Sequence, residues 1–164
     1  MDLKHLLELN LHWATEKTIS LIDTMRDAPL TFPTPRGGNH PLWVLGHCTF
    51  AEGQVIWELM QAETNPMENW SEMFRDGTEP TSNPEDYLPF DDVMHQCRAL
   101  RKASDELLAS FNLQDLERPT AACPPGYEEH FGTFAQCYLF VANHWLMHRG
   151  QVADARRALN QQAT

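Results

Sequence analysis

Two histidines stand four residues apart in the segment NHWLMHRGQV, which covers residues 143–152. A residue in an α-helix advances by about 100°, so His144 and His148 lie one turn apart on the same face. Phe140 and Ala155 fall near the same line, so the pair projects from the apolar side of the helix. Two hydrogen-bonded core histidines are one interpretation, but neighbouring imidazoles satisfy each other poorly when buried. The pattern therefore favours a metal-binding pair.

A third histidine lies in a second apolar stripe. His47, in the segment NHPLWVLGHCTF, is framed on its helix face by Trp43 and Phe50. Three neutral imidazoles suit zinc, nickel, copper or iron, and three protein ligands leave coordination positions open, as in catalytic zinc sites. We therefore predict that His47, His144 and His148 bind one divalent metal ion. The ligand types do not distinguish zinc, nickel and iron.

Three further polar residues share these helix faces. Gln151 lies one turn beyond His148 and is a candidate to orient a ligand imidazole or a bound water. Gln54 and Glu58 lie on the His47 line, and Glu58 is a candidate base. An ordinary polar position at the mouth of the helices is the alternative for Gln151, and a solvated carboxylate is the alternative for Glu58. These three residues are the weaker candidates for catalytic roles.

Four long segments of the chain show the apolar spacing of amphipathic helices, at about residues 2–25, 39–63, 91–111 and 131–159. The second begins at GGNHP, where Asn39 is the predicted N-cap and Pro41 occupies the first turn. Strand patterns of period two are nearly absent. The sequence therefore predicts an all-α protein, a four-helix bundle, in one domain over residues 1–164.

Two connections contain residues that break helices. The first follows helix 1 and includes Pro33, Pro35 and Gly37. The second joins helices 2 and 3 over about residues 64–89, and a short helix is predicted within it over WSEMFRD. An irregular connection of this length is often functional or a crossover.

The overall composition limits the function classes. The chain has 164 residues with a formal net charge of -11, and so acidic a surface repels the phosphates of nucleic acids. It has no apolar run of transmembrane length, and its N-terminus lacks the apolar core of a signal peptide. No membrane association and a cytoplasmic location are therefore expected. The 4 cysteines form no CxxC pair, which argues against a structural zinc knuckle.

The second helix is apolar on two faces. Leu42, Leu45, Ile56 and Leu59 point away from His47, so this helix needs a second packing partner. The long connection or a second copy of the chain would cover this face. We expect a homodimer.

Better-known histidine motifs do not fit the chain. His144 is followed by Trp rather than by the Glu of a zincin, and the ferritin-type Glu-x-x-His does not occur. The pair His12 and Glu16 has the HxxxE spacing found in haemerythrin-like di-iron proteins, which are therefore an alternative class. The order of the helices does not match that class. A single ion on three histidines is the favoured hypothesis.

The segments NHPLWVLGHCTFAEGQ and TFAQCYLFVANHWLMHRGQV resemble the two signature helices of the DinB/YfiT-like superfamily. The intervening ENWSEMFRDGTEP resembles the Trp…Phe…Gly…Pro loop of many members, and the HRGQ ending after His144 is the usual one. The resemblance implies a four-helix bundle with a long connection after its second helix. It also implies a metal site formed by His47 on the second helix and by His144 and His148 on the fourth.

The resemblance also implies classes of activity. Members include thiol S-transferases that use bacillithiol or mycothiol, a mycothiol-dependent isomerase and domains of sulfoxide synthases. We expect a metal-dependent thiol S-transferase or hydrolase acting on a small molecule, with a low-molecular-weight thiol as candidate co-substrate. The electrophile would lie beside Trp43, Phe50 and Phe140. A non-catalytic metal-binding or stress-response bundle is the alternative.

Overall fold

Four long helices build the protein. A computed structural model describes residues 1–32 and 38–162, with side chains up to residue 160, and these residues form no strand. The long helices are α1 (Leu3–Asp23), α2 (Pro41–Gly53), α4 (Phe90–Ser110) and α7 (Phe134–Gln162). Short helices in the connections are α3 (Ser71–Phe74), α5 (Leu113–Leu116) and α6 (Glu128–Phe131). The prediction of an all-α protein is confirmed.

The long helices pack through one continuous apolar core. α7 packs along α1 and also contacts α2, and α2 in turn contacts α4. Leu11 and Ile22 of α1, Leu45 of α2, Leu108 of α4 and Trp145 of α7 are almost fully buried in this core. Among the described residues, no helix is both long enough and apolar enough to cross a membrane.

The start of α2 differs from the prediction by one residue. His40, not Asn39, is the N-cap: its Nδ1 accepts a hydrogen bond from the Trp43 backbone N–H at 3.0 Å. Its Nε2–H donates to the Thr81 carbonyl at 2.9 Å, which joins the cap to the long connection. Asn39 is turned away, and its side-chain amide donates to Gln151 instead. The predicted turn residues Pro33, Pro35 and Gly37 lie outside the described part of the chain.

The long connection and α4 both pack on α2. The predicted short helix is present as a 3-10 turn, Glu68–Trp70, followed directly by α3. Phe74 of α3 is fully buried and packs on α2 at Gly46, where a side chain would leave no room for its ring. Leu42, Leu45 and Ile56 of the outer face are buried within the single chain. The apolar outer face of α2 therefore does not require a second copy, and the homodimer stays a prediction.

A buried ion pair links the helices behind the candidate site. Glu52 of α2, whose side chain is fully buried, accepts hydrogen bonds from Arg101 of α4 and from Trp145 Nε1 of α7, the latter at 3.0 Å. Arg101 also pairs with Asp105. Buried charges are tolerated when each has such partners, and the geometry of the network fixes how α2, α4 and α7 align.

Candidate metal centre

The three predicted histidines converge in the structure. His144 Nε2 lies 3.2 Å from His47 Nε2 and 3.2 Å from His148 Nε2. All three ligand atoms lie within 4.8 Å of one another. α2 supplies one imidazole and α7 supplies two from successive turns, because the apolar stripes of these helices face each other. We call these three residues the histidine triad.

Hydrogen bonds on the far side of two rings fix which nitrogen carries the proton. His47 Nδ1 lies 2.7 Å from the Phe74 carbonyl oxygen, which can only accept, so Nδ1 must donate. His148 Nδ1–H donates to Gln151 Oε1 at 2.7 Å, and the same oxygen accepts from the Asn39 amide at 3.1 Å. Nε2 is therefore unprotonated in both His47 and His148, and its lone pair points towards the centre of the triad.

A divalent metal ion fits this donor set. In the neutral triad only His144 Nε2 can carry a proton between the rings, and one proton cannot satisfy two facing lone pairs at 3.2 Å. Metal–imidazole bonds of about 2.0–2.1 Å at tetrahedral angles place ligand nitrogens about 3.3 Å apart. The two distances from His144 Nε2, to His47 Nε2 and to His148 Nε2, are both close to that value. The Nδ1–H bonds to Phe74 and Gln151 are also the outer partners that metal-ligating histidines have.

Burial keeps the triad in its metal-binding form. Removal from water lowers the pKa of His47 to about 4 and the pKa of His144 to about 3. For His144 the neighbouring imidazoles lower it further, and burial also lowers the pKa of His148. All three rings are thus neutral near pH 7, and neutral imidazole is the form that binds metal ions.

Aromatic rings hold the imidazole planes. Trp43 stacks on His47 with ring centroids 4.3 Å apart and an angle of 10°, and its Nε1–H donates to Thr78 Oγ1 at 3.1 Å. Phe140 stacks on His144 at 5.7 Å and 14°. Because both contacts restrict ring rotation, the triad is positioned before any ligand arrives.

A cavity of about 370 Å³ opens beside the triad. His47 and His144 form part of its wall, and the size lies within the usual range of small-ligand sites. The other lining residues are Phe50, Ala51, Gln54, Val55, Leu59, Asp76, Pro124, Tyr127, Phe131 and Phe140. Phe50 and Phe140 thus lie where the electrophile was expected, whereas Trp43 lies behind the His47 ring.

The other predicted residues are placed differently. Gln151 contacts His148 directly, and Gln54 lines the cavity. Glu58 is not among the described lining residues, and Leu59 occupies the wall instead. The reason is that α2 continues as a π-helical turn, Gln54–Leu59, which holds one residue more than an α-helical turn and rotates the residues at its end around the helix axis.

Asp76 is a site residue that the sequence did not reveal. It lines the cavity, and its negative charge acts on the imidazoles of both His47 and His148. It follows Phe74, whose carbonyl holds His47, by two residues. Only the fold of the connection over α2 brings it there, so no spacing within a helix could have indicated it.

The di-iron rival gains no support from the structure. His12 is exposed on α1, and Glu16 pairs with Arg98 at the surface. In residues 1–32 and 38–162, the cluster of metal-binding side chains that the structure brings together is the histidine triad.

The family of the chain is consistent with this site. Residues 10–152 match the family model described as the DinB superfamily. The chain therefore belongs to the DinB superfamily, which confirms the resemblance carried by its two histidine-bearing helices. A comparison with curated proteins found no significant match.

Proposed function

We propose that the histidine triad holds one divalent metal ion and that the protein is a metal-dependent enzyme acting on small molecules. The favoured reaction is thiol transfer, in which the sulfur forms a bond to an electrophilic carbon and the leaving group on that carbon departs with the electron pair of the broken bond. Hydrolysis is the variant in which water replaces the thiol. The observation that carries the proposal is the convergence of three Nε2 atoms at the wall of a 370 Å³ cavity. A closed structural site would have no such cavity beside its ligands.

The residues around the triad have distinct roles in this proposal. A bound divalent ion lowers the pKa of a thiol or a water and so supplies a nucleophile at neutral pH. Phe74 and Gln151 keep the Nε2 atoms of His47 and His148 turned inwards. The carboxylate of Asp76, on the cavity wall, accepts the proton that the nucleophile releases. Phe140 covers the His144 ring and excludes water from that side.

Metal analysis of the purified protein tests the proposal. We expect one zinc, nickel or iron ion per chain in the wild type and none in His144→Ala, because two imidazoles bind a divalent ion far more weakly than three. His95→Ala, which removes an exposed imidazole on α4, is the matched control and should keep the ion. Consumption of a small thiol in the presence of an alkylating electrophile should fall to the uncatalysed rate when a chelator is added.

Three results would contradict parts of this proposal. A wild-type protein without metal would remove the centre itself. Two ions per chain would restore the di-iron rival. A metal-loaded protein that consumes neither thiol nor hydrolysable ester would favour the alternative, a non-catalytic metal-binding bundle.

We also propose that the protein forms a homodimer. A sedimentation mass equal to that of a single chain would exclude it.

A further inference from the structure

The cavity beside the triad is a slot with two apolar walls. One wall follows α2 and its π-helical turn and presents Phe50, Val55 and Leu59. The other wall is built by α6 and α7 and presents Phe131 and Phe140. A molecule that enters the slot therefore lies between the aromatic and branched side chains of the first wall and the aromatic rings of the second.

The aromatic wall is continuous from the triad outwards. The ring of His144 stacks on Phe140 at 5.7 Å, and Phe140 meets Phe131 edge to face at 4.6 Å. Phe131 is 6.3 Å from the ring of Tyr127, which is half exposed and marks the outer end of the wall. The slot thus runs from the triad at its inner end to solvent at Tyr127.

Charge is almost absent from the slot. Among the described lining residues, Asp76 is the charged one, and it lies at the triad end because it follows by two residues Phe74, whose carbonyl accepts from His47. No lysine or arginine of the described chain lines the slot. A carboxylate or phosphate held between Phe140 and Leu59 would lose water without gaining a cationic partner, which is costly.

We propose that the slot selects electrophilic substrates whose body is uncharged and apolar, with a ring or branched alkyl group, and whose reacting group lies at the triad. Sugar phosphates, nucleotides and dicarboxylates are excluded as the body of the electrophile. This inference rests on the proposed metal centre, because the centre sets which end of the substrate reacts.

Hydroxamates test this inference on the zinc-loaded protein, because one head group anchors every probe at the metal and only the tail differs. Acetohydroxamate has the head alone, 4-phenylbutanohydroxamate adds an apolar tail, and glutaric monohydroxamate adds a tail that ends in a carboxylate. We expect calorimetry to show the phenyl compound binding at least about tenfold more tightly than acetohydroxamate. The carboxylate compound should bind no more tightly than acetohydroxamate.

A slot-filling variant locates the effect. In Leu59→Trp the larger ring occupies the slot, so the gain from the phenyl tail should disappear while acetohydroxamate binding is kept. Retained acetohydroxamate binding also shows that the variant is folded. Leu139→Trp, on the outward face of α7 where Leu139 is 46% exposed, is the control and should keep the full gain.

The outcomes separate the two proposals. Equal binding of all three hydroxamates to the wild type would overturn the slot and leave the metal centre standing. Tighter binding of the carboxylate tail than of the phenyl tail would do the same. Failure of acetohydroxamate to bind the zinc-loaded protein would show that the metal has no open position, which would overturn the proposed enzyme and, with it, the assignment of the reacting end.

Discussion

At the scale of single residues, the imidazoles of the triad are fixed by neighbours of different kinds. A backbone carbonyl orients His47, a side-chain amide orients His148, and an aromatic ring covers His144. The Gln151 contact is the one that substitution can remove without disturbing the backbone. Because Asn39 donates to the same Gln151 oxygen, this amide is held in the orientation that accepts from His148.

Substitution of Gln151 is predicted to weaken metal binding. In Gln151→Leu the His148 ring loses the acceptor for its Nδ1–H and can rotate, so metal affinity should fall by about tenfold or more. Gln151→Glu keeps an acceptor at the same place and should retain or increase the affinity. Competition with a chromogenic chelator measures both. Equal affinity of Gln151→Leu and the exposed-site control Asn160→Leu would show that the hydrogen bond does not orient the ring.

Helix periodicity places His47, His144 and His148 on apolar, inward-facing stripes, because all three lie on regular helical turns. The resemblance to the DinB/YfiT-like superfamily then assigns the two helices to one site. Two other wall residues could not be predicted in this way. Asp76 reaches the cavity through a loop that crosses α2, which involves tertiary contacts with no periodic signal. Leu59 replaces Glu58 because of the π-helical turn, and the sequence Gln54–Leu59 has no residue that marks such a turn.

At the scale of elements, the contact between α2 and α3 holds the triad from outside. Gly46 precedes His47, and the ring of Phe74 lies directly over it. The same Phe74 supplies the carbonyl that accepts from His47. A side chain at residue 46 would therefore displace Phe74, whose carbonyl orients the proposed metal ligand His47.

Gly46→Ala is predicted to lower the free energy of unfolding by about 1–3 kcal/mol, since overpacking against a fully buried ring outweighs the better helix propensity of alanine. Gly150→Ala is the matched control on α7, because nothing lies within 4 Å of its added carbon. It should stabilise the protein by about 0.5–1 kcal/mol. Urea unfolding measures both variants, and Gly46→Ala combined with Phe74→Leu should recover part of the loss. A Gly46→Ala protein as stable as Gly150→Ala would contradict the close packing.

Helix ends are the part of each element that the sequence predicts least well. Asparagine is the better N-cap on average, and Asn39 and His40 are adjacent, so local preference alone selects the wrong one. Tertiary contacts reverse that preference here. The Asn39 amide donates a hydrogen bond to Gln151, and His40 Nε2–H donates one to the Thr81 carbonyl. The helices themselves are predicted well because each extends over many turns of consistent spacing.

At the scale of the whole molecule, the face of α2 that suggested a dimer is buried within the single chain, where α4 and the long connection both pack on α2. The sequence could show that this face is apolar, but not which part of the chain packs on it. The buried Glu52, Arg101 and Trp145 network is a similar case, because its members are 49 and 93 residues apart along the chain from Glu52. Contacts of this range depend on the final packing of all the long helices.

The cap residue His40 is predicted to make global stability depend on pH. Its Nδ1 accepts the Trp43 N–H and its Nε2–H donates to Thr81, so the folded ring has no free site for a second proton. Burial lowers its pKa from 6.5 to about 4. Well above pH 6.5 His40 is neutral in both the folded and the unfolded chain and contributes no pH dependence. As the pH falls from 6.5 towards 4, only the unfolded chain gains the proton, so the free energy of unfolding decreases.

A comparison of the wild type with His40→Asn between pH 7 and pH 4.5 isolates the contribution of His40 to the loss of stability in acid. The decrease due to His40 should be about 1–3 kcal/mol between pH 7 and pH 4.5. In His40→Asn the cap is kept by a side chain that does not titrate, so its stability should fall less with acid than that of the wild type. Other buried histidines contribute equally to both proteins and cancel in the difference. Urea unfolding at several pH values measures it, with His95→Asn as the exposed control. Parallel pH profiles for the wild type and His40→Asn would mean that the cap histidine is protonated without cost, which the two hydrogen bonds at 3.0 and 2.9 Å do not allow.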